Sequence, residues 1–300
     1  MRSEETTICY SAWHAKVFEI AFGASLAKQV LSLSQGEGPF EYPACMIRRR
    51  ELMAALLPAG LLHLLCRQDA LAAHAREPAK RFLSAVDGAS QDLAAHRIAP
   101  HEWQDRVEAL ARAVDLDDLL RAVDFDRLAP SLGQHDTAGG ESLQLPGMRL
   151  SCATKIFCLR KGEAITPHGH RNMVSMHLVL GGKLRVRHFE RIRDERRALP
   201  PREGLSPPGG FIVLRPSIDR HARAGDATSI SSERDNVHWF VAQSERAFTF
   251  DCILTDLEPL GFSFGIDLVD PDRAELLSDG NLRAPVIGWE ESLRRYGKVA

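Results

Sequence analysis

Tyrosine is scarce in this chain of 300 residues: Tyr10, Tyr42 and Tyr296 are the whole set, so no tyrosine falls between 147 and 260. That excludes a tyrosine-dependent site in this stretch. Long apolar runs are missing as well. No segment approaches the roughly 18 uncharged apolar residues of a membrane-spanning helix, so no membrane partner is expected. The start, M-R-S-E-E-T-T-I-C-Y, lacks both a charged lead into an apolar run and a small-residue cleavage site, so the expected location is the cytoplasm. Charge of one sign is not in excess. Lys plus Arg number 38 against 40 Asp plus Glu, a formal net charge of -2, which argues against a nucleic-acid partner or an anionic membrane surface. The six cysteines, Cys9, Cys45, Cys66, Cys152, Cys158 and Cys252, form no C-x-x-C pair. Cysteine ligation of zinc is therefore not expected, and free, buried thiols in a reduced compartment are. Neither a G-x-G-x-x-G nor a G-x-x-x-x-G-K-[ST] loop is present, and no serine elbow, which removes the usual nucleotide-binding and serine-hydrolase readings.

What is present divides into two halves. Apolar residues make up 44% and charged ones 26%, the proportions of an ordinary soluble protein able to bury a large core. Residues 12–34 repeat apolar positions at helical spacing, and 51–65 do so around Pro58. The Ala-rich stretch 67–86 reads as partly helical, with Pro78 as a first-turn residue or a break. Residues 100–114 carry Trp103, Val107, Leu110 and Val114 on one stripe, and D-L-D-D-L-L-R-A-V follows with Asp117 or Asp118 near its start. His14, His63, His74, His96 and His101 are scattered through this half without ligand spacing. The expected organisation is a helical region over 1–129 and a Gly/Ser/Pro-rich linker over 130–147. A strand-rich domain then covers 148–260, with a tail over 261–300 packed on its outside. Beyond the linker the apolar period falls toward two, and short strands separated by Gly and Pro turns predict a β-sandwich or barrel. The strand 183–191, K-L-R-V-R-H-F-E-R, alternates as though half in water.

The chemistry is concentrated in G-E-A-I-T-P-H-G-H-R-N-M-V-S-M-H-L-V-L-G-G, residues 162–182. His168 and His170 are two apart, so both side chains leave the same face of an extended strand. Imidazoles so placed can meet one metal, provided another ligand comes from elsewhere. This stretch resembles the first motif of the cupin superfamily, G-x5-H-x-H-x(3,4)-E-x6-G. Gly162, His168, His170 and Gly182 match, and Ser175 stands where that motif carries a glutamate. From the second cupin motif only its histidine carries over, onto His238. The resemblance covers about 147 to 260.

It implies an α+β chain: a cupin-type antiparallel β-sandwich barrel (jelly roll) behind an N-terminal helical region. It also implies one divalent metal on His168, His170 and His238, with a later strand bringing His238 opposite the other two. Iron(II) is the expected metal, with nickel, zinc and copper as alternatives. The missing glutamate is similar to thiol dioxygenases of the cysteine dioxygenase type, which bind iron through three histidines and hold a substrate carboxylate with arginine. On that likeness Arg171, Arg185 and Arg187 are candidate substrate anchors, with Arg185 and Arg187 on a common face, and His177 is a candidate base or contact near the metal. The expected function is a mononuclear non-haem metal dioxygenase acting on a small molecule bearing a thiol or carboxylate. A non-catalytic binding or sensor protein is the alternative. Cupins often dimerise, so a homodimer is also an expectation.

Overall fold

The computed structural model describes residues 76–132, 140–143, 145, 147–196, 204–258 and 265–297. The helical readings over 12–34 and 51–65, with His14, His63 and His74, lie outside them. Among the described residues no helix is long and apolar enough to cross a membrane.

Helix α1 (Ala79–Ala94) starts directly after Pro78, whose fixed φ suits the position before a helix, and it buries Phe82, Leu83, Val86 and Leu93. Helix α2 (Pro100–Ala113) has proline in its first turn, where the missing N–H costs nothing. The Glu102 carboxylate reaches back to accept from the Ala99 N–H at 2.8 Å. Its buried residues are Trp103, Gln104, Val107 and Ala111. Leu110, expected on that stripe, is only partly buried, and Val114 lies just past the last turn. Helix α3 (Leu116–Ala122) is capped by Asp115, whose carboxylate accepts from the Asp118 N–H at 3.0 Å. Asp117 and Asp118 occupy its first turn, and a single turn, α4 (Phe125–Leu128), follows.

The strands are β1 (Gly140–Ser142), β2 (Ala153–Arg160), β3 (Ala164–Arg171), β4 (Met173–Gly181), β5 (Lys183–Asp194), β6 (Gly204–Leu205), β7 (Phe211–Arg223), β8 (Ala227–Ile230), β9 (Val237–Ala242), β10 (Arg246–Thr255), β11 (Gly265–Leu268), β12 (Glu275–Leu276) and β13 (Leu282–Pro285). One sheet has the order β1-β2-β10-β4-β8, the other β12-β13-β7-β5-β9-β3-β11-β6. All pairings are antiparallel except β6 with β11. From β2 to β5 the chain changes sheet with every strand, and β7 to β10 does the same. This is the jelly-roll β-sandwich expected of the cupin type. Gly162 and Gly182 sit in turns that make two of those changes of direction possible, with φ of 80° and 77°. At Gly182 a Cβ would lie 2.1 Å from the Arg246 carbonyl oxygen.

Strand β4 explains why its sequence is apolar almost without interruption: eight of its nine residues are buried, because both faces are covered. On one face Val174, Met176 and Leu178 join Phe248, Phe250 and Cys252 of β10 and pack with Phe82, Trp103, Val107 and Leu119 of the helices. The other face looks into the barrel, where Val179, Leu159 and Ala247 meet Leu184, Val186, Phe240 and Ala242 of the second sheet. Helices α1 to α3 therefore share a core with the outer face of the five-stranded sheet. At the far end α5 (Trp289–Tyr296) lies against β3. There Tyr296 is buried with Trp239 and Leu268, and its hydroxyl hydrogen-bonds the Asp270 carboxylate.

Candidate metal centre

Three histidines meet inside the barrel. His168 and His170 leave the same face of β3, and His238 lies on β9, the neighbouring strand, directly paired with His168. His238 was expected opposite the other two. It comes instead from beside them in the same sheet, because β9 runs antiparallel to β3 with a register irregularity between Ile165 and His168 that brings the two rings together. The His238 Nε2 atom is 3.0 Å from His168 Nε2 and 3.1 Å from His170 Nε2. Among the described residues this trio is the group of potential metal ligands whose donor atoms all lie within 4.8 Å of one another.

The donor set fits a divalent cation. Burial pushes the His168 imidazole down to about 4 and those of His170 and His238 well below the ordinary value, so all three rings are neutral near pH 7. The Thr166 carbonyl accepts from His168 Nδ1–H at 2.7 Å, which leaves the Nε2 lone pair of that ring facing the cluster. His238 Nε2 can carry at most one hydrogen, yet it faces two other ring nitrogens. A cation satisfies all three at once. With metal–nitrogen bonds of about 2.1 Å, two imidazoles at a right angle place their nitrogens about 3.0 Å apart, the spacing found here.

Close-packed residues brace these histidines. Asn236 precedes β9, and its amide donates to the His170 carbonyl at 2.6 Å and to the Ser231 carbonyl at 3.1 Å. Arg191 Nε donates to the Asn236 side-chain oxygen at 3.1 Å, and the same guanidinium pairs with the fully buried Asp267. Asp235 is occupied by Ser217. Neither Asp235 nor Asn236 orients a ring nitrogen of the three histidines.

His177 comes from β4 in the facing sheet. Its ring stacks on His238 with centroids 4.9 Å apart, and its Nδ1–H donates to Asp251 at 2.8 Å. Ser175, which replaces the motif's carboxylate, is buried on the same interior face. Arg171 turns to the buried Asp267 and the Gly204 carbonyl, and Arg185 and Arg187 are not brought to this centre. They alternate with the inward Leu184, Val186 and His188, so they leave the outer face of β5 and both pair with Asp219. Arg187 also lies 4.7 Å over the Trp239 ring, which faces outward beside Tyr296. Three interior residues were not singled out from sequence: His188, Asp251 and Lys155. His188 is paired across the sheet with His238, and burial pushes its imidazole down to about 3. The alternation of L-R-V-R-H was the available signal for it.

No protein-family profile and no curated protein matches this sequence. Solved structures do show local likeness. Procruciferin, an 11S globulin from Brassica napus, is 13% identical over 39% of this chain and 22% of its own, with a TM-score of 0.26. KdgF from Halomonas sp. is 15% identical over 38% of this chain and 76% of its own, with a TM-score of 0.26. Recombinant oxalate oxidase in complex with glycolate is 16% identical over 45% of this chain and 57% of its own, with a TM-score of 0.29. This chain thus spans about a fifth of the procruciferin chain.

Proposed function

We propose that the chain is a mononuclear metal-dependent enzyme, a dioxygenase that oxidises a small molecule inside the barrel. The observation that carries this reading is the convergence of three neutral imidazole nitrogens at 3.0–3.1 Å in a buried interior. Three neutral ligands leave the full cationic charge available to a bound substrate and leave coordination positions open, as catalytic rather than structural metal sites do. Iron(II) is the preferred occupant, and it would supply electrons to dioxygen. The protein's own part is to hold the three rings, exclude water and orient the substrate. His177, fixed by Asp251 with its Nε2 free of a protein partner, offers a hydrogen-bond acceptor beside the ligands. Neither Arg185 nor Arg187 serves as a carboxylate anchor in this scheme, since both face away.

Elemental analysis of the full chain purified without added metal tests the proposal, set beside His238→Ala. The expected result is about one iron per chain, lost in the variant, with oxygen uptake that needs both the iron and a small organic substrate. No metal in either protein, or a redox-inert metal and no oxygen uptake, would overturn it.

A further inference from the structure

Beside the three ligands the barrel wall carries a second set of polar groups, spread over three strands. Lys155 of β2, Asp251 of β10 and His177 of β4 are direct neighbours across the strands, so they form one row on the inner face of the five-stranded sheet. All three are buried. Asp251 Oδ2 accepts from His177 Nδ1, while Asp251 Oδ1 and His177 Nε2 have no protein partner. Ser175 Oγ and Thr249 Oγ1, on the same interior faces of β4 and β10, have none either, and both residues are at least nine-tenths buried. Opposite them His188 is fully buried with both ring nitrogens unpartnered, stacked on Phe240 and 6.1 Å from the His238 ring.

Buried polar atoms are almost always hydrogen-bonded, so this many orphans converging on one interior mark the outline of something that fills it. Their character says what it is. Asp251 Oδ1 accepts, and so does His177 Nε2 while the ring's proton sits on Nδ1. The two hydroxyls accept or donate, and neutral His188 offers one of each. Asp251 also places a carboxylate in the wall, beside the Lys155 amine across the strand pair. Arg220, whose charge reaches His188, lies exposed and donates to the Ala227 carbonyl.

We infer that the interior binds an uncharged, hydroxyl-rich small molecule of the polyol or sugar class, its hydroxyls donating to Asp251, His177 and His188, and that it discriminates against the matching carboxylate. The inference rests on the reading of the barrel interior as the substrate site, but not on the metal. A carboxylate in the same place would donate nothing to Asp251 and would set its charge against that side chain, a repulsion that the neighbouring Lys155 ammonium offsets in part and a bound cation would reverse, so the discrimination belongs to the metal-free interior.

Calorimetric titration of the full chain, freed of metal by a chelator, with alditols of three to six carbons and with the aldonates of the same skeletons, tests it. At least one alditol is expected to bind about tenfold or more tightly than its aldonate, the scale of giving up one charge-assisted hydrogen bond and adding a repulsion. Asp251→Asn should narrow that gap. His188→Phe keeps the stack on Phe240 and should weaken the alditol about tenfold without closing the gap, which covers the case in which Asp251→Asn fails to fold. The same preference should persist in His168→Ala, so loss of metal and loss of ligand choice are separable. Equal or tighter binding of the aldonate, or no binding by any alditol in the series, would overturn the inference.

Discussion

At the scale of single residues the site is held by contacts that leave no slack. Gly169 separates the two histidines of β3, and a Cβ there would lie 2.7 Å from Arg191 Nη2, 2.8 Å from Asn236 Oδ1 and 3.0 Å from Val237 Cγ2. Those first two atoms belong to the brace that fixes the His170 carbonyl. Gly169→Ala is therefore expected to cost about 1–3 kcal/mol of stability through overpacking. It should also weaken metal binding by about tenfold, the usual result of disturbing an outer-shell support. Urea denaturation and competitive metal titration measure the two effects, and an unchanged affinity would show that the brace does not hold the ligand. Lys155 gives a pH signature. Burial pushes its ammonium down to about 8, against the opposing pull of Asp251, while the unfolded chain keeps it near the usual value of about 10.4. Between about pH 8 and 10 the unfolded state binds the extra proton, so this lysine makes stability rise with pH, and below about 8 it contributes no slope. Lys155→Met should flatten that rise in denaturation curves taken from pH 7.5 to 10. An identical slope in both proteins would mean that the lysine keeps its ordinary proton affinity. His168, His170 and His238 were legible as candidates because their spacing is local to two motifs, and the structure brings their ring nitrogens together. His188 and the outward course of Arg185 and Arg187 follow one alternation in one strand, but alternation alone does not say which face is inside.

Among the elements, α2 does most to join the helices to the barrel. Ser231 Oγ donates to the Gln104 side chain at 2.7 Å, Ser229 Oγ donates to Glu108 at 2.6 Å, and Arg234 pairs with Asp105 at 2.7 Å. Residues 229–234 lead from β8 toward β9, which carries His238, so the helix steadies the approach to the strand of that histidine. Trp103 anchors this contact from the centre. It is fully buried, and its Nε1 donates to Ser90 Oγ at 3.2 Å. Trp103→Ala should cost about 3–5 kcal/mol, the range for deleting a buried aromatic ring, read as a lowered urea midpoint. A loss under about 1 kcal/mol would mean that the helix contributes little to the core. The apolar stripe of α2 was readable from Trp103 and Val107. The burial of Gln104 was not, because its partner is 127 residues away and a glutamine on a helix otherwise reads as a solvated position.

At the scale of the whole molecule, the described helices and the five-stranded sheet share one core, and that arrangement makes a thermodynamic claim. Phe82, Trp103, Val107 and Leu119 pack in the same cluster as Ile156, Met176, Leu178 and Phe250. The stretch 130–147 was expected to separate a helical region from a barrel. A composition change marks where the chain switches from helix to strand, but it does not reveal whether the two faces then meet. Because they do, the described helices and the barrel are expected to unfold in one transition, with far-UV circular dichroism and Trp fluorescence tracing the same curve against urea. A chain shortened to begin at 147 would leave the outer face of β2, β10 and β4 uncovered. Exposed apolar surface of that kind drives association and loosens packing. The shortened chain should bind a hydrophobic dye, run as aggregates on size exclusion and lose its near-UV signal, even though every candidate ligand is retained. If it proves monomeric, with a sharp transition and metal affinity equal to that of the full chain, the barrel is an independent domain and the helices are an accessory layer. If it collapses as expected, the helical layer is part of what holds His168, His170 and His238 together, through β4 and the residues that lead into β9.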